Sequence, residues 1–441
     1  MKKPLDKKVE NTFQKMATDS AKTLHWVERF FPAIIKKRRS IIHFFYKAKN
    51  GTITGAADND PTTVVTHIQA GATSGFSLLW LIFLSTPFLI AIEEITATLA
   101  VVTKKGFARL IKEKLGFKIA LVMALIVLIS NIATLGADLG AMINIISAAT
   151  NISTLIIVLF LIIIFFALLL GESCAFVSRF LFILTPLFLV YIISAILAKP
   201  DWTQVLIHTF SPWLSGGKNV WLLAVAMLGT VICPYIVFWQ STEEIEENKK
   251  VEDLKSENSS VRIGMIFSNL IFYFVIIAAG ATLFKLGGGE LINSAKDAAL
   301  ALKPAVGDLS FLLFGIGILI SGLISIPVLA ASSAYVVADV FDWQEGLNKK
   351  LAKAKSFYLI LFMALILGAV INFLNLPSMK VLVYSQVLNG LLMPFILIVL
   401  LRLGFDKSIV GEHRPSGIIK FFAYLSLIVL VIVDIILFCS L

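Results

Sequence analysis

Two prolines in this chain each directly follow a side chain able to ligate an ion, at Asp60-Pro61 and at Cys233-Pro234. The first lies in Gly55-Ala-Ala-Asp-Asn-Asp-Pro-Thr-Thr63 and the second in Gly229-Thr-Val-Ile-Cys-Pro-Tyr235. Proline lacks a backbone donor and clashes with the preceding turn, so carbonyls just upstream of it lose their helical partners and become available as ligands. A carboxylate or a sulfur beside freed carbonyls is chemistry for holding a cation. A hydrolase would instead need paired acids facing one cleft or a His-Glu-x-x-His metal site, and with five histidines in the whole chain no such set is evident.

Those prolines must sit within helices that cross a bilayer. Hydrophobic residues make up 58% of the 441 and charged residues 15%, against about 45–50% and about 25% in soluble domains, which excludes a water-soluble globule. The apolar residues form long blocks that predict spans near Ser77–Val102, Ile119–Ser147, Leu155–Leu170, Val177–Leu197, Val220–Gln240, Ile263–Leu283, Phe311–Val337, Phe357–Phe373, Val381–Leu401 and Ile418–Phe438.

An eleventh span, between Ile41 and Ala72, is concealed by its own polar residues, and charge placement reveals it. With eleven spans and the N-terminus inside, the cytoplasmic segments hold 32 of the 38 lysines and arginines. The outer segments keep only Lys199, Lys218, Lys285, Lys296, Lys303 and Lys380. Omitting the polar span breaks this positive-inside pattern. The net charge of +10 is thereby an orientation signal and implies no nucleic-acid partner.

Residues 1–40 read as a basic cytoplasmic arm without the apolar run of a secretory signal. Cys174, Cys233 and Cys439 lie on separate spans or span ends and suggest no disulfide framework. The acidic stretch Thr242–Glu257 reads as a solvated loop or helix extension. Helix interruption inside hydrocarbon is tolerated only where protein or a polar cavity covers it. Pro61 and Pro234 stand five spans apart, the register of two inverted five-helix repeats with a midplane site between them. The repeats are expected at 41–200 and 201–404, with residues 405–441 as an accessory helix.

The stretch Asp60-Pro-Thr-Thr-Val-Val-Thr-His-Ile-Gln-Ala-Gly-Ala72 resembles the first-helix signature of the Nramp family of divalent-metal transporters, Asp-Pro-Gly-Asn followed after a short gap by Gln-Ala-Gly-Ala. Leu228-Gly-Thr-Val-Ile-Cys-Pro-Tyr235 is similar to the family's sixth-helix Met-Pro-His motif, and Ser385-Gln386-Val387 with Pro394 to its tenth helix. The resemblance covers spans one to ten. It implies an all-α, LeuT-type membrane protein with broken helices one and six, and a transported divalent cation as substrate rather than a resident cofactor. Multi-pass insertion in a bacterial inner membrane goes with it, and the oligomeric state stays open.

Transferred residue by residue, the resemblance implies a metal site of Asp60, Thr63, Thr230 and Cys233, with Ala57, Asp58, Tyr235 and Gln386 lining it. Asp60 and Pro61 keep the family pattern, whereas Thr62 replaces its Gly, Thr63 its Asn and Cys233 its Met. Asp60 and Thr63 supply hard oxygens suited to Mg²⁺ or Mn²⁺. A Cys233 thiolate would favour Zn²⁺ or Cd²⁺, while a neutral thiol, the form expected before metal arrives, is a weak ligand that leaves room for water. Tyr235 and Gln240 occupy the positions of the family's histidines, and Ala141 that of the second acid after Asp138. These departures resemble the Nramp-related branch that includes magnesium transporters and imply little proton coupling.

His67, Glu93 and Asp138 are the candidates for a proton or ion pathway. His67 is read as a polar vestibule residue rather than a ligand. Glu93 and Glu94 serve either as interfacial anchors or as part of a polar pathway. Asp58 either hydrogen-bonds the broken helix or lines the approach, and Asp434 is expected near the headgroups. A carrier of an organic solute on the same fold is the competing function, but the bare carboxylate of Asp60 favours a cation.

Overall fold

The computed structural model describes residues 59–150, 152–171, 189–212, 217–246, 249–287, 292, 294–347, 349–374 and 376–440. The basic arm, Ala57, Asp58, Cys174 and the start of the fifth span lie outside the described residues. No strand occurs among those described. The chain runs through α1 (Pro61–Ser74), α2 (Leu79–Thr103), α3 (Phe107–Leu115), α4 (Phe117–Thr150), α5 (Thr154–Gly171), α6 (Leu189–Leu197) and α7 (Trp202–Phe210). It continues as α8 (Lys218–Val231), α9 (Pro234–Glu246), α10 (Leu254–Thr282), α11 (Ser310–Phe341), α12 (Lys355–Ile371), α13 (Ser378–Gly404) and α14 (Gly417–Ser440).

These elements match the spans expected from the sequence. Seven segments, with α8 and α9 counted together, are long and apolar enough to cross a membrane. Two shorter apolar helices, α5 and α12, and the described parts of the first and fifth spans, α1 and α6, complete the eleven. The short α3 and α7 are strongly amphipathic or peripheral connectors rather than spans; α3 carries Lys112 and Lys114 in its last turn.

Burial separates the scaffold from the centre. Outer helices expose apolar side chains, as at Ile156 and Ile163 on α5 and Ile418 and Phe421 on α14. Every residue of α1 is buried, and the α8–α9 span is 94% buried over its most apolar window. The two helices that begin or resume at a proline are therefore the central ones, as the cost of unpaired backbone in hydrocarbon demands. Close packing around them uses small residues. A Cβ on Gly71 of α1 would stand 2.5 Å from the Ile276 carbonyl of α10. One on Gly390 of α13 would stand 2.6 Å from that of Val225 on α8.

Candidate functional site

Asp60 itself is extended (φ −70°, ψ 164°) and caps α1, with Pro61 in the first turn. An Asp-Pro pair is a strong start signal: the carboxylate accepts from free amides while proline needs no partner there. Asp60 Oδ1 accepts the Thr63 amide at 2.6 Å and the Thr62 hydroxyl at 2.5 Å. The positive end of the helix thus points at a carboxylate inside the bundle.

Thr62 extends the site to two further helices. Its amide donates to Asp138 Oδ1 on α4 at 3.1 Å, and its hydroxyl oxygen accepts from Gln386 Nε2 on α13 at 2.6 Å. Asp138 Oδ2 takes a bond from Ser325 of α11 at 2.8 Å. Asn389 donates to Gln386 Oε1 at 2.9 Å and to Thr134 at 3.2 Å, and Ser130 donates to Asn389 Oδ1 at 2.5 Å. The Asn59 carbonyl accepts from Ser321 of α11. All these residues are buried. Each such bond contributes only about 0.5–1.5 kcal/mol net, but leaving one group unsatisfied costs about 1–3 kcal/mol, so the network fixes the register of four helices around Asp60.

The second break lies between α8 and α9. Ile232 is the last residue to bond back, to Leu228 at 2.9 Å, and Pro234 has no N–H to offer the Thr230 carbonyl four residues earlier. Thr230 turns its hydroxyl to the Met227 carbonyl at 2.8 Å. Cys233, 3% exposed, belongs to an apolar cluster with Leu139, Tyr235 and Ile236, and the Tyr235 carbonyl accepts from Ser332 at 3.3 Å. Helix α8 packs against both α1 and α13.

Of the residues singled out by sequence, Asp60, Asp138 and Gln386 converge directly, and Thr63 contributes its amide. Thr230 and Cys233 flank the break of the adjoining helix. His67 does not line an open vestibule: it is fully buried, stacks on Phe272 at 4.5 Å, and sets Nδ1 2.7 Å from the Thr63 carbonyl. Glu93 is fully buried rather than interfacial, whereas Glu94 is gripped by Arg262 through both carboxylate oxygens. Among the described residues no three His, Cys, Asp or Glu side chains gather into a ready metal cluster. An ion held at Asp60 would complete its shell with carbonyls, hydroxyls and water.

The two faces of the bundle differ. On the side of the basic loops, Arg109 of α3 pairs with Asp339 (3.2 Å) and Glu345 (3.3 Å), and Lys112 with Asp342 (2.5 Å). The Phe107 amide donates to Ser241 of α9 at 3.1 Å, and Tyr335 binds Glu246 while accepting from the Leu347 amide at 3.0 Å. Burial, followed by the neighbouring Asp339 charge, pushes Glu345 up to about 8, while the bond from Lys112 holds Asp342 below its usual range. On the opposite side a cavity of about 240 Å³ is lined by Val65, Ala141, Ile318 and Leu382, each about one turn from the Asp60 network, and by Lys296. The bonds from Arg109, Lys112, Phe107 and Tyr335 latch α3, α9 and α11 together on the basic-loop side.

Residues 51–440 match the family described as natural resistance-associated macrophage protein-like, Nramp. The chain belongs to the Nramp family. Divalent metal cation transporters named MntH are similar to this Nramp chain. That of Verminephrobacter eiseniae is 26% identical over 408 residues, 88% of each protein. That of Yersinia pestis is 26% identical over 82% of this chain and 86% of its own, and that of Clostridium acetobutylicum is 28% identical over 56% of each. In fold, the chain resembles a manganese transporter of Eremococcus coleocola (TM-score 0.71, 17% identity, 88% of this chain and 85% of that one). It also resembles Mhp1, a nucleobase-cation-symport-1 family transporter (TM-score 0.58, 12% identity, 89% and 92%). The architecture is accordingly the all-α inverted-repeat membrane fold with discontinuous first and sixth helices.

Sequence reasoning did not single out Asn389, Ser325, Ser321, Thr134 and Ser130. A signal was present: Ser130, Thr134 and Asp138 recur every four residues on one face of α4, Ser321 and Ser325 on α11, and Gln386 and Asn389 three apart on α13.

Proposed function

We propose that this Nramp chain is a secondary transporter that carries a divalent cation across the membrane by alternating access, with Asp60 as its central ligand. The carrying observation is the pair of buried carboxyls, Asp60 and Asp138, served by one residue, Thr62. Two acids at a helix break in the bilayer interior make a site of negative charge, and acids within membrane helices mark ion pathways. Their neighbours are hydroxyls, amides and amide side chains, and among the described residues neither carboxyl forms an ion pair with lysine or arginine. The curated relatives carry names of divalent metal cation transporters.

Asp60, the Thr63 oxygen and the Thr230 carbonyl would hold the ion, with Cys233 beside it and Gln386 and Tyr235 lining the site. Hard oxygens suit Mg²⁺ or Mn²⁺. The ion is the substrate; no cofactor and no covalent chemistry are invoked. The latch on the basic face and the cavity on the other side support loading from outside, and the charge of the loops supports an N-terminus in the cytoplasm of a bacterial plasma membrane. The test is calorimetric titration and proteoliposome uptake of Mg²⁺, Mn²⁺ and Cd²⁺, each with and without a pH gradient. Absence of binding and uptake for all three ions by the folded protein would overturn the reading.

A further inference from the structure

Beyond the second break, toward the basic loops, two more buried side chains hold oxygens without donors. Glu93 of α2 is 0% exposed, and among the described residues neither of its carboxylate oxygens has a hydrogen-bond partner. Helix α2 packs against α9, and Glu243 on α9 is a charged neighbour of Glu93. One turn earlier on α9 stands Gln240, 2% exposed, whose amide oxygen also lacks a partner among the described residues. Residues three apart share a helix face, so Gln240 and Glu243 stand on the same side of α9.

Among the described residues, the arginine that bonds to α2 is already committed. Arg262 grips Glu94 through both of its carboxylate oxygens, and consecutive residues of a helix do not face the same way. A buried acid that lacks a donor or a counter-charge is among the least favourable arrangements in a membrane interior and marks a pathway when it persists. Two carboxylates and an amide carbonyl oxygen, all acceptors, are the donor types a hard divalent cation takes. Seven residues of helix separate Cys233 from Gln240, about 10 Å at 1.5 Å per residue. A cation moving along α9 toward the basic face would meet this set after leaving the first site.

We infer that Glu93, Gln240 and Glu243 form a transit site for a hard divalent cation between the Asp60 site and the basic-loop face. The inference rests on the reading of Asp60 as the first station. The experiment uses Mn²⁺ as probe on the full-length protein in detergent, by calorimetry and by electron paramagnetic resonance. Compared are the wild type, Asp60→Ala, and Asp60→Ala combined with Glu93→Gln or with Glu243→Gln. Asp60→Ala is expected to keep one weaker Mn²⁺ site, whose affinity falls at least tenfold when either glutamine is added. Both glutamines are nearly isosteric with the acids they replace, and Glu243 is only partly buried, so its variant reports even where Glu93→Gln does not fold. No residual Mn²⁺ binding in Asp60→Ala, or residual binding unmoved by both glutamines, would overturn the transit site. So would an effect of Glu93→Gln confined to the pH profile of uptake with Mn²⁺ stoichiometry intact, since that marks a proton carrier. Failure of the first-station reading looks different: Asp60→Ala would then bind and transport as the wild type does.

Discussion

Asp60 and Asp138 come from different helices, yet each accepts a bond from Thr62: the hydroxyl goes to Asp60 Oδ1 at 2.5 Å and the amide to Asp138 Oδ1 at 3.1 Å. Thr62 thereby fixes the start of α1 against the middle of α4. The same hydroxyl oxygen accepts from Gln386, so movement of any of the three helices is transmitted to the carboxylate that would hold the ion.

The first expectation is that Asp60→Ala abolishes uptake of every divalent ion. Asp60→Asn should be nearly as damaging, because it preserves the size but removes the charge. Uptake into proteoliposomes, with size-exclusion profiles confirming the fold, checks both. Undiminished transport by a folded Asp60→Ala protein would sink the site assignment.

Thr62→Val keeps the amide bond to Asp138 but deprives Asp60 of a donor and Gln386 of an acceptor. Leaving a buried amide unpaired costs about 1–3 kcal/mol, so divalent affinity should fall about tenfold, while Thr62→Ser recovers most of it. Calorimetry on the three proteins decides. Equal affinity in Thr62→Val would show that the network positions nothing the ion needs.

How far the sequence disclosed this site depends on the signal each residue leaves. Asp60-Pro61 was legible because an acid beside a proline is costly within a span and persists there only where it serves an ion or a helix break. The concealed first span was recoverable because lysines and arginines mark one side of the bilayer. Asn389 and Ser325 were not found, since a lone polar residue in an apolar helix looks the same whether it faces a network or its own backbone. His67 was misplaced for a related reason: its bond to Thr63 and its stacking on Phe272 depend on where α10 packs, which local sequence does not encode. Glu93 and Glu94 are adjacent and chemically identical, and only tertiary packing gives Glu94 an arginine and leaves Glu93 without one among the described residues.

A third prediction concerns the latch on the basic face. Glu345 has its pKa raised from 4.5 to about 8 by burial first and by Asp339 second. Its contribution to folded stability is therefore fully present below the ordinary carboxyl range and is lost as pH rises toward about 8. Glu345→Gln mimics the protonated form. It should match the wild type near pH 4.5 and exceed it in thermal stability at pH 9. Scanning fluorimetry of the detergent-solubilised proteins at the two pH values is the check. Equal melting temperatures at pH 9 would contradict the assignment.

Coupling gives a fourth expectation. Where the family resemblance places two imidazoles and a second acid, this chain has Tyr235, Gln240 and Ala141. The remaining acid, Asp138, is held by the Thr62 amide and Ser325. Cation uptake should therefore acidify the liposome lumen little or not at all. A pH-sensitive dye enclosed with the transporter measures this. Stoichiometric proton entry would refute it and direct attention to His67 and Glu93 as carriers.

The last prediction turns on Cys233. Its sulfur sits at the second break, 3% exposed, within an apolar cluster that includes Leu139 and Ile236. The thiolate rather than the thiol is the effective metal ligand, and burial among apolar side chains favours the neutral thiol before an ion arrives. Cys233 is therefore expected to pack beside a partly hydrated ion. On that arrangement Cys233→Ser changes the affinities for Mg²⁺, Mn²⁺ and Cd²⁺ by little. Cys233→Met brings a thioether to the break and should tighten Cd²⁺ and Mn²⁺ without helping Mg²⁺, because a soft donor discriminates by softness. Direct coordination by sulfur predicts the opposite pattern for serine, whose hydroxyl keeps the approximate size of the donor and not its softness. A Cys233→Ser protein with Cd²⁺ affinity lowered tenfold, about 1.4 kcal/mol, and Mg²⁺ affinity unchanged would establish Cys233 as a ligand.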